Sequence, residues 1–458
     1  MTDNSLVCQI LLSIIFRHSG RITMKLLLFL ILPSIVSGGD DVVAFTKGRA
    51  THEHLTHGEI LTFDKTITNI NAYFSADGKF VCSTPGLYAF HFYAVTKSNE
   101  HVWLELFRND DYIVSIYGRT PSDYVDAGNS VFINLEMDDT VYIKARDNYD
   151  NVIFGAGDQV YTTFTGLLLA VSDNDGLDAF SVGLNHSIDL TTSQHVLYDR
   201  IIASTGAPTY DKDTGTFTAA QPGLYIFHYH ALATSDHELW LDLYYNDQYI
   251  NSAYGKTPNE YADAGNTAII HLHTGDKVSV RSRRAGGIYG DIGTNQTYTT
   301  FSGSILSPST DYLENGQAEE IAFSVGLSAH HTQAQGHTVI FDRVFINHGL
   351  GYDTKTGKFT AKYSGIYVFH FHALSHSDKP IWIDLYHNFM YVNSIYGHVP
   401  SGYVTGSNSA SLELLQGDEV FLDIKSHDTA LYGVPTEIYC TFSGYLLALL
   451  PKYQPIIG

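Results

Sequence analysis

The sequence predicts an all-β chain of three tandem domains, each a sandwich or barrel of short strands, and three observations support this. One octapeptide recurs as Tyr117-Gly118-Arg119-Thr120-Pro121-Ser122-Asp123-Tyr124, Tyr254-Gly255-Lys256-Thr257-Pro258-Asn259-Glu260-Tyr261 and Tyr396-Gly397-His398-Val399-Pro400-Ser401-Gly402-Tyr403. The copies stand 137 (254 − 117) and 142 (396 − 254) residues apart, well beyond the roughly 20–50-residue period of solenoids and propellers, so whole domains are duplicated. The length of 458 residues gives three domains at about 150 residues each. No stretch after residue 40 carries a long 3.6-residue apolar period with helix caps, whereas short β-forming runs between Gly, Asp, Asn and Pro turns recur throughout.

Taken in chain order, residues 1–38 read as a signal region with its start at Met24. Met24-Lys25 is a basic flank, Leu26 to Val36 an apolar run, and Ser37-Gly38-Gly39 offers small residues for cleavage. A second apolar run, Leu6 to Phe16, ends at Arg17 and Arg21; it is either an unused upstream start or an uncleaved anchor. Neither run reaches the roughly 20 residues of a bilayer span, so secretion to the extracellular space is the expectation. Domains are expected at 41–171, 178–306 and 321–450, joined by the polar segments Ser172 to Leu177 and Ser307 to Glu320. Leu224 to His230 alternates behind the Pro222-Gly223 turn. Val339 to Ile346, Leu412 to Leu415 and Glu419 to Ile424 read as further strands, with Gly417-Asp418 turning the chain.

Composition excludes some functions. A net charge of −22 argues against nucleic acid and anionic membrane as main partners, since both need a basic surface. Only Cys8, Cys82 and Cys440 are present. Cys82 and Cys440 read as buried free thiols ahead of an inter-repeat disulfide. Catalysis has little support: there is no Gly-x-Ser-x-Gly, phosphate-binding glycine loop or paired-cysteine zinc spacing. His52-Glu53-His54-Leu55-Thr56-His57 lacks the second histidine at the fifth position that a helical zinc pair requires. Asn185-His186-Ser187 and Asn295-Gln296-Thr297 are candidate glycosylation sites at Asn185 and Asn295.

The third repeat opens with Ala322-Phe323-Ser324-Val325-Gly326-Leu327 and continues with Val339-Ile340-Phe341-Asp342-Arg343-Val344. Gly351 to Thr360 and Gly365-Ile366-Tyr367-Val368-Phe369 follow, and Leu415 to Val420 and Thr441-Phe442-Ser443-Gly444 close it. In that order and spacing the unit resembles the globular C1q domain of the C1q/TNF-like superfamily. Repeat two keeps Ala179-Phe180-Ser181-Val182-Gly183-Leu184 and Thr300-Phe301-Ser302-Gly303; repeat one diverges most, opening Ala44-Phe45-Thr46-Lys47-Gly48. The resemblance covers about nine tenths of the chain. It implies a ten-stranded jelly roll of two sheets, usually trimeric behind a collagen stalk. No Gly-X-Y run exists here, so the three domains are expected to close as an intramolecular pseudo-trimer. Calcium is the cofactor that the resemblance suggests, with Asp158 and Asp291 in the loop before the last strand as candidate ligands.

Three sets of residues are candidate functional positions. On the strand after the Pro-Gly or Ser-Gly turn, Tyr88, Phe90 and Phe92 and their equivalents face the core. His91, His228 and His370 share one position on the other face, with His230 and His372 two residues on. By the resemblance that face lines the trimer contact, where three imidazoles would form a metal ring, a proton-sensitive interface, or an ordinary hydrogen-bonded set. The stripes Trp103-Leu104-Glu105, Trp240-Leu241-Asp242 and Trp382-Ile383-Asp384 place Trp and an acid opposite the inward aliphatic residue. This arrangement suits a sugar ring stacked on Trp with its hydroxyls on Glu105, Asp242 or Asp384, or else packing against a neighbour. The octapeptide loops add Tyr124, Tyr261 and Tyr403 as candidate ligand contacts. The expectation is a secreted, non-enzymatic, multivalent binder of glycans or microbial surfaces, lectin-like and of the innate-immune type. The alternatives are a signalling ligand for a cell-surface receptor and a structural matrix protein.

Overall fold

Alternation along the strand following each Pro-Gly or Ser-Gly turn organises the molecule. In the computed structural model these strands run Gly86–Lys97, Gly223–Leu232 and Gly365–Leu374. The structure describes residues 42–171, 177–205, 209–235, 237–256, 260–291, 293, 296–308, 320–332 and 334–450. The signal region, Cys8, most of both joints and Asn295 lie outside the described residues. Among the described residues, no helix is long and apolar enough to cross a membrane.

Each repeat folds as two five-stranded antiparallel sheets. In the first, one sheet has the order Lys65–Ile70, Ala44–Arg49, Thr162–Val171, Gly86–Lys97, Tyr124–Leu135. The other has the order Tyr73–Phe74, Phe80–Val81, Thr140–Ala145, His101–Arg108, Asp111–Arg119. The second and third repeats repeat this topology strand for strand, which is the ten-stranded jelly roll of the expectation. Glu419–Ile424 is a strand as read from sequence, and Leu412 to Leu414 end the Thr405–Leu414 strand. The run from Val339 departs from its reading: the strand is Arg343–His348. Val339 and Phe341 instead hang extended in the core, with the Val339 amide bonded to the Leu422 carbonyl at 2.7 Å.

Two kinds of core result. Tyr88, Phe90 and Phe92 fill the first repeat's own sandwich, as Tyr225, Phe227 and Tyr229 and then Tyr367, Phe369 and Phe371 fill the others. The alternate residues Leu87 and Ala89, Leu224 and Ile226, and Ile366 and Val368 join one further cluster drawn from all three repeats. The strand is therefore buried on both faces, and the repeats close around a common axis. Burying an aliphatic side chain of this size contributes about 1.5–3 kcal/mol, so the shared core links the stability of the repeats. Cys82 and Cys440 are free and buried.

The seams between repeats are cyclic copies of each other. Ser115 donates its amide to the Thr297 carbonyl at 2.8 Å, Ser252 to Ile438 at 2.8 Å and Ser394 to Val160 at 2.9 Å. The hydroxyls of Tyr112, Tyr249 and Tyr391 accept the amides of the same three partners at 2.8, 2.6 and 2.6 Å. Asn129, Asn266 and Asn408 donate across the seam to the carbonyls of Tyr298, Tyr439 and Tyr161 at 2.9, 3.0 and 3.1 Å. The first repeat thus grips the second, the second the third, and the third the first.

Two outcomes follow from this closure. Calorimetry should show one unfolding transition for the three repeats, not three separate ones. Asn266→Ala should lower the whole transition by about 2–4 kcal/mol, because it strands buried partners on two repeats. Independent melting, with only one repeat affected by the substitution, would contradict the shared core.

Candidate functional site

The Trp and Tyr candidates meet across the seams, not within a repeat. Trp103 lies on His101–Arg108 beside Tyr117, ring centroids 5.1 Å apart. Its Nε1 donates to the Tyr298 hydroxyl of the second repeat at 2.9 Å. Tyr117 meets Tyr261 of the second repeat edge-on at 5.6 Å, and Tyr261 meets Tyr289 at 5.2 Å. The second seam repeats this with Trp240 against Tyr254 (5.4 Å) and Tyr254 against Tyr403 (5.6 Å). At the third, Trp382 packs on Tyr396 (5.1 Å) and Tyr396 on Tyr124 (4.9 Å). These Trp and Tyr rings are half-buried, so each cluster keeps an aromatic surface open to solvent. Cations cap two of them: the Arg146 guanidinium lies 4.4 Å from the Trp103 ring, and Arg283 and Arg284 lie 5.3 and 4.7 Å from Trp240.

The acids of the stripe do not share that surface. Glu105, Asp242 and Asp384 are buried. Glu105 accepts Arg146 at 3.0 Å and the Gln296 amide of the second repeat at 2.6 Å. Asp242 takes Arg283 at 2.9 Å and the Ser252 hydroxyl at 2.6 Å; Asp384 takes the Ser394 hydroxyl at 2.6 Å and Lys425 at 3.4 Å. Burial raises all three carboxyl pKa values against the pull of these partners. The expected role as acceptors of ligand hydroxyls is therefore corrected: these carboxylates are buried and engaged, Asp242 and Asp384 by partners of their own repeat and Glu105 also by Gln296 across the seam. Tyr298, Tyr439 and Tyr161 were not singled out from the sequence, although each stands three residues before the Phe of the final strand. The three seam asparagines were also missed; each sits one residue before the Ser or Thr that faces an axial histidine.

On the axis, the structure brings His91, His228 and His370 together. Their ring centroids are 4.7 Å apart in each pair, and all three are fully buried. Ser130 Oγ lies 2.8 Å from His91 Nδ1, and Thr267 Oγ1 lies 2.9 Å from His228 Nδ1. The same hydroxyls reach the neighbouring repeat, at 3.2 Å to His230 Nε2 and 2.9 Å to His372 Nε2. Burial, then the neighbouring imidazoles, pushes His91 down to about 3 and His228 and His370 well below the ordinary value, so the rings are neutral near pH 7.

Among the described residues, neither calcium candidate belongs to a group of three or more acidic or histidine ligands. Asp158 is exposed in the first repeat, and Asp291 in the second accepts the Gly293 amide at 2.9 Å. Among the described residues, the one group of three or more metal-ligating side chains is the histidine triad, whereas Ca²⁺ needs six to eight oxygens. The Asn185 sequon lies in a surface turn, where Asn185 Oδ1 accepts the Thr297 hydroxyl at 3.4 Å.

Two further acids sit between repeats, Asp126 buried and Asp263 half-buried. Asp126 accepts the Ser407 amide of the third repeat at 2.7 Å, and Asp263 accepts the Gly128 amide of the first at 3.2 Å. Burial raises both carboxyl pKa values strongly, and Asp126 raises Asp263 further.

A ring of three jelly rolls with composite aromatic seams and a buried axis defines a closed, trimer-like β-sandwich protein. The C1q domain model matches residues 44–169, 179–306 and 322–447, and the chain belongs to this family. Complement C1q tumor necrosis factor-related protein 3 of Mus musculus is 38% identical over 130 residues, 28% of this chain and 51% of that protein. Caprin-2 of Danio rerio is 37% identical over 130 residues, 28% of this chain and 14% of that protein. The chain spans about half the length, or less, of these relatives. The globular domain of zebrafish complement 1qA protein is 25% identical with a TM-score of 0.25, covering 28% of this chain and 99% of that one.

Asp126 gives a pH prediction with a definite sign. An acid raised on folding contributes stability fully below its unfolded pKa of about 3.9, and this is lost as pH rises toward the folded value. Asp126→Asn keeps the acceptor without the charge, so its melting temperature should gain on wild type as pH rises from 4 to 7. A constant difference across that range would mean that Asp126 titrates as an ordinary surface carboxyl.

Proposed function

We infer that this protein is a secreted, non-enzymatic recognition protein that binds repetitive extracellular ligands, glycans or microbial surface polymers, at three equivalent seams. The observation that supports this reading is the triplicated cluster of half-buried Trp and Tyr rings, each completed by the neighbouring repeat. Aromatic faces of this kind stack on the apolar face of a sugar or on a planar group while their polar edges stay wet. Three of them on one rigid ring face a repetitive polymer together, and simultaneous contact raises avidity about 10²- to 10⁴-fold over a single site. Secretion rests on the apolar run Leu26 to Val36 behind Met24-Lys25, which lies outside the described residues. A second reading, a ligand for a cell-surface receptor, is favoured by relatives named for both C1q and tumor necrosis factor.

The test compares wild type with Tyr124→Ala, Tyr261→Ala and Tyr403→Ala, singly and together, on a glycan and microbial-polymer array. Single variants should keep binding to a monovalent fragment at the two remaining seams while losing at least about 10-fold on immobilised polymer. The triple variant, folded by circular dichroism, should lose polymer binding. Unchanged polymer binding by the triple variant would remove the seams as the site, and saturable binding to one cell-surface receptor without array signal would favour the second reading.

A further inference from the structure

Beyond the seams, the axis holds an arrangement that packing alone does not explain. The ligating nitrogens of His91, His228 and His370 lie within 4.8 Å of one another. Fully buried polar atoms nearly always have a partner. Here His91 Nε2 and both ring nitrogens of His370 are buried with no hydrogen-bond partner in the structure. Stranding such groups costs about 1–3 kcal/mol each, and one central electron-pair acceptor would satisfy the inward-facing ones together.

We propose that the axis is a transition-metal site in which His91, His228 and His370, one from each repeat, hold a single Zn²⁺-class dication. Nε2 of His91 and Nε2 of His228 are the donors in the first two repeats, because each Nδ1 is already engaged by Ser130 or Thr267. His370 contributes one ring nitrogen. With no pair of nitrogens more than 4.8 Å apart, each corner of an equilateral triangle lies at most about 2.8 Å (4.8/√3) from its centre, whereas zinc-bound imidazole sits at about 2.0–2.1 Å. The ring centroids stand about 2.7 Å (4.7/√3) from the same centre, so the rings close on the ion by turning their nitrogens inward by about 0.7 Å.

The donor set selects the metal. Three neutral imidazoles with no carboxylate or thiolate in the group suit zinc and its first-row neighbours and exclude the hard, oxygen-seeking Ca²⁺ and Mg²⁺. A threefold pyramid of nitrogens leaves the fourth tetrahedral position to water or an anion. Ser130 and Thr267 then act as positioning residues. A metal on Nε2 leaves the hydrogen on Nδ1, which donates to the hydroxyl, and the hydroxyl can pass its own hydrogen to His230 or His372 Nε2. The ion would thereby tie one residue of every repeat to a common centre.

The test uses the full chain without an affinity tag, stripped with chelator and dialysed against Zn²⁺ or Co²⁺ at micromolar free concentration. One ion per chain should be retained, and X-ray absorption should show three imidazole nitrogens at about 2.0–2.1 Å. His228→Gln should weaken binding by more than about 100-fold, whereas Ser130→Ala and Thr267→Ala should weaken it by about 10–100-fold. The off-axis pair of exposed His330 and half-buried His376, whose rings are 4.5 Å apart, serves as the control: His330→Gln with His376→Gln should leave the ion in place. Retention of no metal by wild type, fewer than three imidazoles around it, or loss of the ion in the control variant would overturn the proposal. The spectrum of wild type decides the question even if His228→Gln fails to fold.

Discussion

Three buried side-chain amides fix how the repeats meet. Asn129 donates to the Ser115 carbonyl of its own repeat at 3.1 Å and to the Tyr298 carbonyl of the next at 2.9 Å. Its oxygen accepts the Ser130 amide at 2.8 Å and the Thr300 hydroxyl of the next repeat at 2.6 Å. Asn266 and Asn408 make the same four bonds, to Ser252, Tyr439, Thr267 and Thr441 and to Ser394, Tyr161, Ser409 and Thr163. Four bonds exhaust the capacity of a primary amide. A one-residue slip of one repeat past its neighbour would strand several of these groups, so few other arrangements of the same surfaces are affordable in a seam this deeply buried. Everything else at the seam inherits its position from this register. The bonded carbonyl of Tyr298 sets where its ring stands, and that ring receives the indole of Trp103.

The fold was legible because its signals are local and triplicated. Alternation on one strand separates Tyr88, Phe90 and Phe92 from Leu87, Ala89 and His91, and the structure keeps that separation as two different cores. The seam was less legible because its members come from different repeats. Trp103 and Tyr124 belong to the same repeat, yet Trp103 packs on Tyr117, which meets Tyr261 of the second repeat, and Tyr124 packs on Tyr396 of the third. The acids were misplaced for a related reason. Alternation correctly puts Glu105 on the face away from the leucines, but period two cannot tell a solvated face from one covered by another domain. Asn129 carries no pattern of its own in one repeat; only the triple recurrence of an Asn before Ser or Thr marks it. The Val339 segment reads as a strand because its side chains alternate, and they do alternate into the core; what it lacks is a ladder partner along its length.

A single chain can do at the axis what three identical chains cannot, which is to break the threefold symmetry where symmetry would be costly. The amide layer keeps it, since Asn129, Asn266 and Asn408 are neutral and fully bonded. The layer of His91, His228 and His370 also keeps it, because burial holds these rings neutral. The next layer departs, with Tyr93 where the other repeats have His230 and His372. The departure is sharpest at Asp126 and Asp263, whose third equivalent is Thr405. Asp126 already opposes the ionisation of Asp263. A third carboxyl would add like-charge and desolvation costs without a cation to offset them. Thr405 instead donates its hydroxyl to the Asp263 carbonyl at 3.2 Å, so the position still joins two repeats but carries no charge. The seams diverge in the same way at their outer ends: Arg146 lies over Trp103, and Arg283 and Arg284 over Trp240, while the third seam sets Lys425 on Asp384. Tandem duplication therefore supplies three composite aromatic seams that share one geometry and differ in charge.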